Sequence, residues 1–184
     1  MSGDSRSMSR DSRSMSGDSK KYIEMALGAG AAHAVPFIIT DIAFDSRVVL
    51  KCIFGCKDFG LLHSCPYQRS PLSMEEYQRV LEKFSHGIII GCDNKPDSQE
   101  ISYAIERECF LDGYYFAFSL SDCGLCGTCA KVRDVPCVFP DKARPAFHSV
   151  GIDVFKTVRG LGLPIEVLRS RDEPQNWYSA VFIE

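Results

Sequence analysis

The sequence predicts one compact domain of the α/β or α+β class, with a mixed sheet and helices packed on it. Runs of β-branched and apolar residues alternate with helix-like segments that carry their own capping residues. A length of 184 residues, 45% of them hydrophobic, suffices for one buried core and is short for two. We place this domain at residues 21–184. Residues 1–20 repeat Ser, Asp, Arg, Met and Gly without apolar periodicity, which predicts a flexible low-complexity arm.

The first part of the domain is predicted to contain one helix and two strands. Residues 22–34 are rich in Ala and Gly, which favours a helix that packs closely on a neighbour. Residues 36–40 and 47–52 are short β-branched runs, and we expect strands there, with a turn at residues 45–46 between them. The second of these runs ends directly in Cys52.

Two capped helices flank a buried strand in the middle of the chain. Ser73 and Glu76 form a capping box that predicts a helix over residues 73–84, and residues 86–92 are an apolar run typical of a buried strand. A second capping box, Asp97 with Glu100, predicts the next helix. This helix is expected to continue through Ile101, Ile105 and Cys109 and to stop at Gly113.

The last elements surround a cysteine-rich loop. We expect a strand at residues 114–120, then the loop, then a helix over residues 152–159 that Gly160 closes. Two strand-like runs follow, at residues 164–168 and 176–184. Both cysteine groups would then follow the end of a strand, where open α/β sheets usually place their ligands.

Composition excludes several classes of protein. A net charge of −3 gives no broad positive field, so we expect no nucleic-acid partner. We find no apolar run long enough to span a membrane and no apolar core of a secretion signal in the first 20 residues. The nine cysteines are an odd number without an export signal, which favours metal or redox chemistry in a reducing cytoplasm over a disulfide framework.

The strongest motif is C-x2-C-x2-C-x7-C in the second half of the chain. Such a turn directs thiolates into one pocket, and backbone amides freed by Gly124 and Gly127 can bond cluster sulfides, as in ferredoxin-type loops. We expect an oxygen-sensitive [4Fe–4S] cluster here; an all-cysteine zinc site is the alternative, although it usually has two CxxC pairs. The predicted ligands are Cys123, Cys126, Cys129 and Cys137.

A second motif, C-x3-C-x8-C-P, supplies only three local thiols, from Cys52, Cys56 and Cys65. It predicts a second metal site or a second cluster, with a structural zinc or buried reduced thiols as the alternative. The fourth ligand could be Cys92, at the end of its strand, or His63, or no protein residue at all. An iron without a protein thiolate would be an open Lewis-acid position able to bind a substrate.

The remaining candidates are weaker. Cys109 lies on an apolar helix face and is expected to be a core residue. His148 follows the cysteine loop and could hydrogen-bond a cluster or ligand, with a structural role as the alternative.

Four segments between about Lys51 and Leu168 form a recognisable set: KC-x3-C-x2-FG-x4-CP, E-x3-F-x2-GYY at residues 106–115, the CxxCxxC loop with Cys137, and KARP followed by GIDV. Together they resemble a family of predicted metal-binding proteins grouped as domain of unknown function 2284. The resemblance implies two cysteine groups in one domain and a metal or iron–sulfur centre, and it implies no settled reaction.

These features lead to three functional hypotheses. The first is an iron–sulfur protein that transfers electrons to a redox partner or serves as a redox subunit of a larger enzyme complex. The second is an enzyme with an open iron at Cys52, Cys56 and Cys65 that performs sulfur transfer, desulfuration or dehydration. The third is an interaction module stabilised by zinc, in which metal binding is coupled to folding.

Overall fold

A four-stranded antiparallel sheet forms the centre of the molecule. The computed structural model describes residues 17–69, 72–170 and 172–184. The strand order is β1–β2–β4–β3, and every pair of neighbours is antiparallel, so the described strands form no mixed sheet. The strands are β1 (His33–Ile38), β2 (His86–Cys92), β3 (Phe118–Leu120) and β4 (Trp177–Phe182).

Helices lie on both faces of this sheet, which makes the fold α+β. Short 3-10 turns at Ile39–Asp41, Ser46–Val48, Ala130–Arg133 and Phe147–Val150 complete the described secondary structure. The α-helices are α1 (Gly17–Gly28), α2 (Val49–Gly55), α3 (Pro66–Arg69), α4 (Met74–Leu81), α5 (Lys95–Leu111) and α6 (Val154–Gly160).

The side chains of β2 alternate between two apolar cores, one on each face of the sheet. Ile88 and Ile90 point to the face covered by α1 and α5, where they pack with Tyr22 and Ile105 in what we call the α1/α5 core. Ile89 points to the other face, into a core that includes residues of α4 and α6 and the 3-10 turn at Phe147–Val150, here called the α4/α6 core.

Sequence patterns predicted several elements correctly. The strand over residues 86–92 is β2, and the Ser73–Glu76 capping box caps α4 as expected. Gly113 has φ +103° and ends the turn after α5, as predicted. Residues 1–16 of the predicted arm lie outside the described residues, and α1 begins at Gly17, inside the segment predicted as arm.

Four local predictions were wrong. Residues 47–52 form a 3-10 turn and α2 instead of a strand, because the Asp45 carboxylate caps the Arg47 amide at 3.0 Å and starts a helical turn. Cys52 therefore lies on a helix and does not follow a strand. The helix predicted over residues 22–34 ends at Gly28. The predicted Asp97–Glu100 capping box does not form, because Asn94 caps α5 and its side chain accepts a hydrogen bond from the Asp97 amide.

The remaining differences concern strands. The run predicted at residues 36–40 overlaps β1, which spans His33–Ile38. Of the run at residues 114–120, only Phe118–Leu120 pairs with β4. Residues 164–168 form no strand, but Ile165 packs in the α4/α6 core. The predicted last strand and last helix exist as β4 and α6.

Candidate metal centre

The candidate centre lies at one end of the sheet. Cys92, the last residue of β2, pairs with Trp177, the first residue of β4, and the C-terminal end of β3 lies at the same end because Leu120 pairs with Ala180. The first turn of α5 and the loop that begins at Ser121 therefore leave the sheet side by side. This arrangement brings the cysteine-rich loop close to Lys95 and Gln99.

All nine cysteines are free thiols in the structure. Seven of them line two neighbouring cavities. The larger, about 410 Å³, we call the large cysteine cavity, and the smaller, about 120 Å³, the small cysteine cavity. The large cavity is lined by Cys123, Cys126, Cys129 and Cys137, and the small one by Cys52, Cys56, Cys65 and Cys123.

The two cavities share part of their lining. Asp58, Leu62, Lys95 and Cys123 border both of them. The structure thus brings together two cysteine groups that are far apart in the chain. Cys123 and Lys95 stand at the junction between the groups.

The small cysteine cavity is built from α2 and the loop after it. Cys52 is only 4% exposed, and its thiol donates to the backbone oxygen of His148 at 3.9 Å. Burial, together with the neighbouring Cys56 and Cys65, raises the pKa of the Cys52 thiol to about 11. Gly60, at φ +68°, turns its amide toward Cys65 and donates to Sγ at 3.3 Å. A metal bound here would displace the thiol protons.

Gln99 fastens the cysteine-rich loop to α5. Its side chain is only 1% exposed, its Oε1 accepts from the Gly124 amide at 2.7 Å, and its Nε2 donates to the Lys142 carbonyl at 2.8 Å. The same Nε2 lies 3.8 Å from Cys123 Sγ. One buried amide therefore joins both ends of the loop and directs an N–H group at a cysteine sulfur. The Gly124 amide was expected to be free to hydrogen-bond a cluster sulfide, but it donates to the Gln99 side chain instead.

Lys95 supplies positive charge at the junction. It is the first residue of α5, where the unpaired amides of a helix add partial positive charge. Its alkyl chain packs on Gly124, and its Nζ lies 5.0 Å from the centre of the Trp177 ring. An anionic metal–thiolate centre in either cavity would be stabilised by this charge.

Comparison with known proteins shows the family of the chain. Residues 37–183 match the model of a family described as predicted metal-binding protein (DUF2284). The chain belongs to this family. The match begins before Lys51 and ends after Leu168, so it covers more of the chain than the resemblance seen in the sequence. No curated protein and no solved structure matches the chain.

The DUF2284 description states that the family is predicted to bind metal and names no metal. Among the described residues, no three Cys, His, Asp or Glu side chains are close enough together to bind one metal ion. None of the described helices has the length and apolar character needed to cross a bilayer.

In this DUF2284 domain, Cys92 does not lie with the seven cysteines that line the cavities. It lies in the α1/α5 core, 3% exposed, and lines neither cysteine cavity. Cys109 also lies in this core, as expected. His63 borders the large cavity, with Nε2 2.9 Å from the Val135 carbonyl, whereas His148 borders the small one.

Sequence reasoning missed four residues of the site. Asp58 and Asp122 line the small cysteine cavity together with the three local thiols. Lys95 and Gln99 come from α5. Lys95 lies before the helix start that the Asp97–Glu100 capping box predicted, so no signal marked it as a first-turn residue. Gln99 gave no signal either.

Proposed function

We propose that this protein binds iron–sulfur clusters and transfers electrons to a partner protein. In this proposal Cys123, Cys126, Cys129 and Cys137 hold a [4Fe–4S] cluster, and Cys52, Cys56 and Cys65 hold a second metal centre. The observation that carries the proposal is the convergence of seven free thiols on two cavities that share Cys123 and Lys95. Centres bound in two cavities with a shared wall would be neighbours, which suits electron transfer between them.

The surroundings of the thiols support a cluster in the large cavity. The four ligands of a cubane bind four different irons, so their sulfurs lie farther apart than the ligands of a single zinc ion. Gln99 Nε2 offers a hydrogen bond to the Cys123 sulfur, and Lys95 offers a positive charge. Both features stabilise a reduced, more negative cluster and raise its reduction potential.

The position of the large cavity suits a carrier. Its rim includes the exposed Gly127 and Thr128, between half-buried Cys126 and Cys129. A cluster near the surface allows a redox partner to approach without any opening of the fold.

A second candidate function is an enzyme in which the small cavity holds an open metal position. Two observations favour it: Cys92 is kept away in the α1/α5 core, and Asp122 and His148 line the cavity beside the three thiols. A metal with an open position supplies Lewis-acid chemistry to a bound substrate atom. Asp122 and His148 would then orient that substrate and hold or release its protons.

Metal analysis after anaerobic purification tests the first proposal. We expect iron and acid-labile sulfide in equal amounts, and an electron paramagnetic resonance (EPR) signal after reduction. Cys129→Ser removes the signal of the large cavity and Cys56→Ser that of the small one. Cys92→Ala, the matched control, keeps both. A colourless wild-type protein with stoichiometric zinc would contradict the iron–sulfur proposal and support the hypothesis of a zinc-stabilised interaction module.

Hydrosulfide separates the two candidate functions. A carrier with closed sites shows the same EPR spectrum before and after hydrosulfide is added, and a reversible one-electron reduction at low potential. An enzyme with an open iron shows a changed spectrum for the small-cavity centre alone, and Cys56→Ser abolishes that change.

A further inference from the structure

A third cavity adjoins the small cysteine cavity and has a lining of a different kind. Its volume is about 410 Å³, within the range of small-molecule sites. Phe147 and Tyr178 form its buried floor, and Phe155 and Trp177 form aromatic walls. The Tyr178 hydroxyl donates to the Pro164 carbonyl at 2.5 Å, which holds this ring in place.

Two residues connect this aromatic cavity to the small cysteine cavity. Asp122 and His148 line both of them. Trp177 adds a further connection, because its ring contacts Lys95, which borders both cysteine cavities. A molecule in the aromatic cavity would therefore meet Asp122 and His148 at the edge of the proposed metal site.

The charges of the lining limit what the aromatic cavity can bind. Asp122 and Glu166 contribute carboxylates, and none of the described residues that line it is a lysine or an arginine. Arg159 contacts Glu166 from outside the cavity at 3.4 Å and offsets that charge in part. Asp122 lies deeper, half-buried, beside Cys123. A negatively charged ligand would meet repulsion here, whereas flat apolar rings match the aromatic walls.

We propose that the aromatic cavity binds a planar organic molecule that is neutral or positively charged, with its polar group at Asp122 and His148. The inference rests on the second candidate function and gives the class of substrate that would approach the open metal position. The cavity itself is formed by protein groups alone, so binding and metal content are measured separately.

Trp177 provides a direct readout, because it is the single tryptophan of the chain. Three probes of the same shape differ in charge: benzamidine is a cation, benzamide is neutral and benzoate is an anion. We expect benzamidine and benzamide to change the Trp177 fluorescence of the anaerobically purified protein in a saturable way, with benzamidine the tighter. Benzoate is expected to bind most weakly.

Variants locate the binding. Asp122→Asn is expected to weaken benzamidine binding about fivefold and benzamide binding little. Phe155→Leu, at a ring that is 39% exposed, weakens both probes by about two- to tenfold without disturbing the core. Glu24→Gln, on the exposed surface of α1, is the control and changes neither.

The outcomes distinguish this inference from the metal proposal. No saturable fluorescence change with any probe, or tighter binding of benzoate than of benzamidine, overturns the cavity inference even if both clusters are present. Saturable binding of benzamidine to protein that contains zinc or no metal keeps the inference and rejects the iron–sulfur proposal. Binding that also alters the EPR signal of the small-cavity centre supports both.

Discussion

Gly124 lies where the cysteine-rich loop meets the first turn of α5, and its lack of a side chain is needed there. A Cβ at this position would lie 2.6 Å from Lys95 Cγ and 2.7 Å from Cδ. Gly124→Ala therefore has to push the lysine out of the junction or move the loop, at a cost of about 1–3 kcal/mol in the free energy of unfolding. We expect a lower denaturant midpoint and less iron per chain after anaerobic gel filtration.

Gly127, three residues later in the same loop, is the matched control. A Cβ there meets nothing within 4 Å, and neither glycine has a positive φ. Gly127→Ala should leave both measurements near those of the wild type. Equal effects of the two substitutions would show that Lys95 does not pack on the loop.

At the residue scale, local spacing predicted which cysteines to consider but not how they are arranged. The CxxCxxC spacing identifies Cys123, Cys126 and Cys129 because all three lie within one turn of the chain. The sharing of Cys123 between two cavities depends on β2 and β3 ending, and β4 beginning, at the same end of the sheet, which no local pattern encodes. The role of Gln99 could not be predicted for the same reason, because its hydrogen-bond partners, Gly124 and Lys142, are distant in the sequence.

At the element scale, two ion pairs attach the chain beyond the cysteine loop to α5, and they differ in exposure. Arg144 pairs with Glu106, with side chains 13% and 12% exposed. Glu106 Oε2 also accepts from the Ser119 amide at 2.7 Å and its hydroxyl at 2.6 Å, which attaches β3. Lys142 pairs with Glu100 at 2.7 Å, but Glu100 is 48% exposed.

This difference predicts unequal effects of the same substitution. Glu106→Ala leaves Arg144 without its buried partner and Ser119 without its acceptor, and we expect a loss of about 3–5 kcal/mol in the free energy of unfolding. Glu100→Ala removes a largely solvated pair and costs at most about 1 kcal/mol. Urea unfolding of both variants measures the difference. Similar midpoints would mean that the Glu106–Arg144 pair does not hold β3 and the loop to α5.

Elements were predicted well where independent local signals agreed. Residues 87–92 contain only Gly, Ile and Cys and lie between His86 and Asp93, and residues 86–92 form β2 as expected. Residues 47–52 were misread because β-branched side chains favour a strand, whereas the Asp45 cap and the burial of Cys52 against the turn at Phe147–Val150 favour a helix. The local cap and the tertiary contact together outweighed the strand propensity, and the tertiary contact is absent from the local sequence pattern.

At the scale of the whole molecule, the cysteine cavities and the apolar cores are separate. Neither the α1/α5 core nor the α4/α6 core contains any of the seven cysteines that line the cavities. The cysteine-rich loop has a single 3-10 turn, Ala130–Arg133, as its described secondary structure. The sheet and its helices therefore have enough buried surface to persist without metal, whereas the cysteine segments do not.

Removal of metal is thus expected to loosen one part of the protein and leave the rest folded. This behaviour differs from that of zinc fingers, which unfold completely without metal because they have almost no core. After anaerobic chelation, far-ultraviolet circular dichroism should change little. Trypsin should cut rapidly after Lys57, Lys131 and Lys142, in or beside the cysteine segments, and slowly within α5. Reconstitution with iron and sulfide should restore protection. Cooperative unfolding of the whole chain on chelation would show instead that the cavities, and not the two cores, hold the fold together.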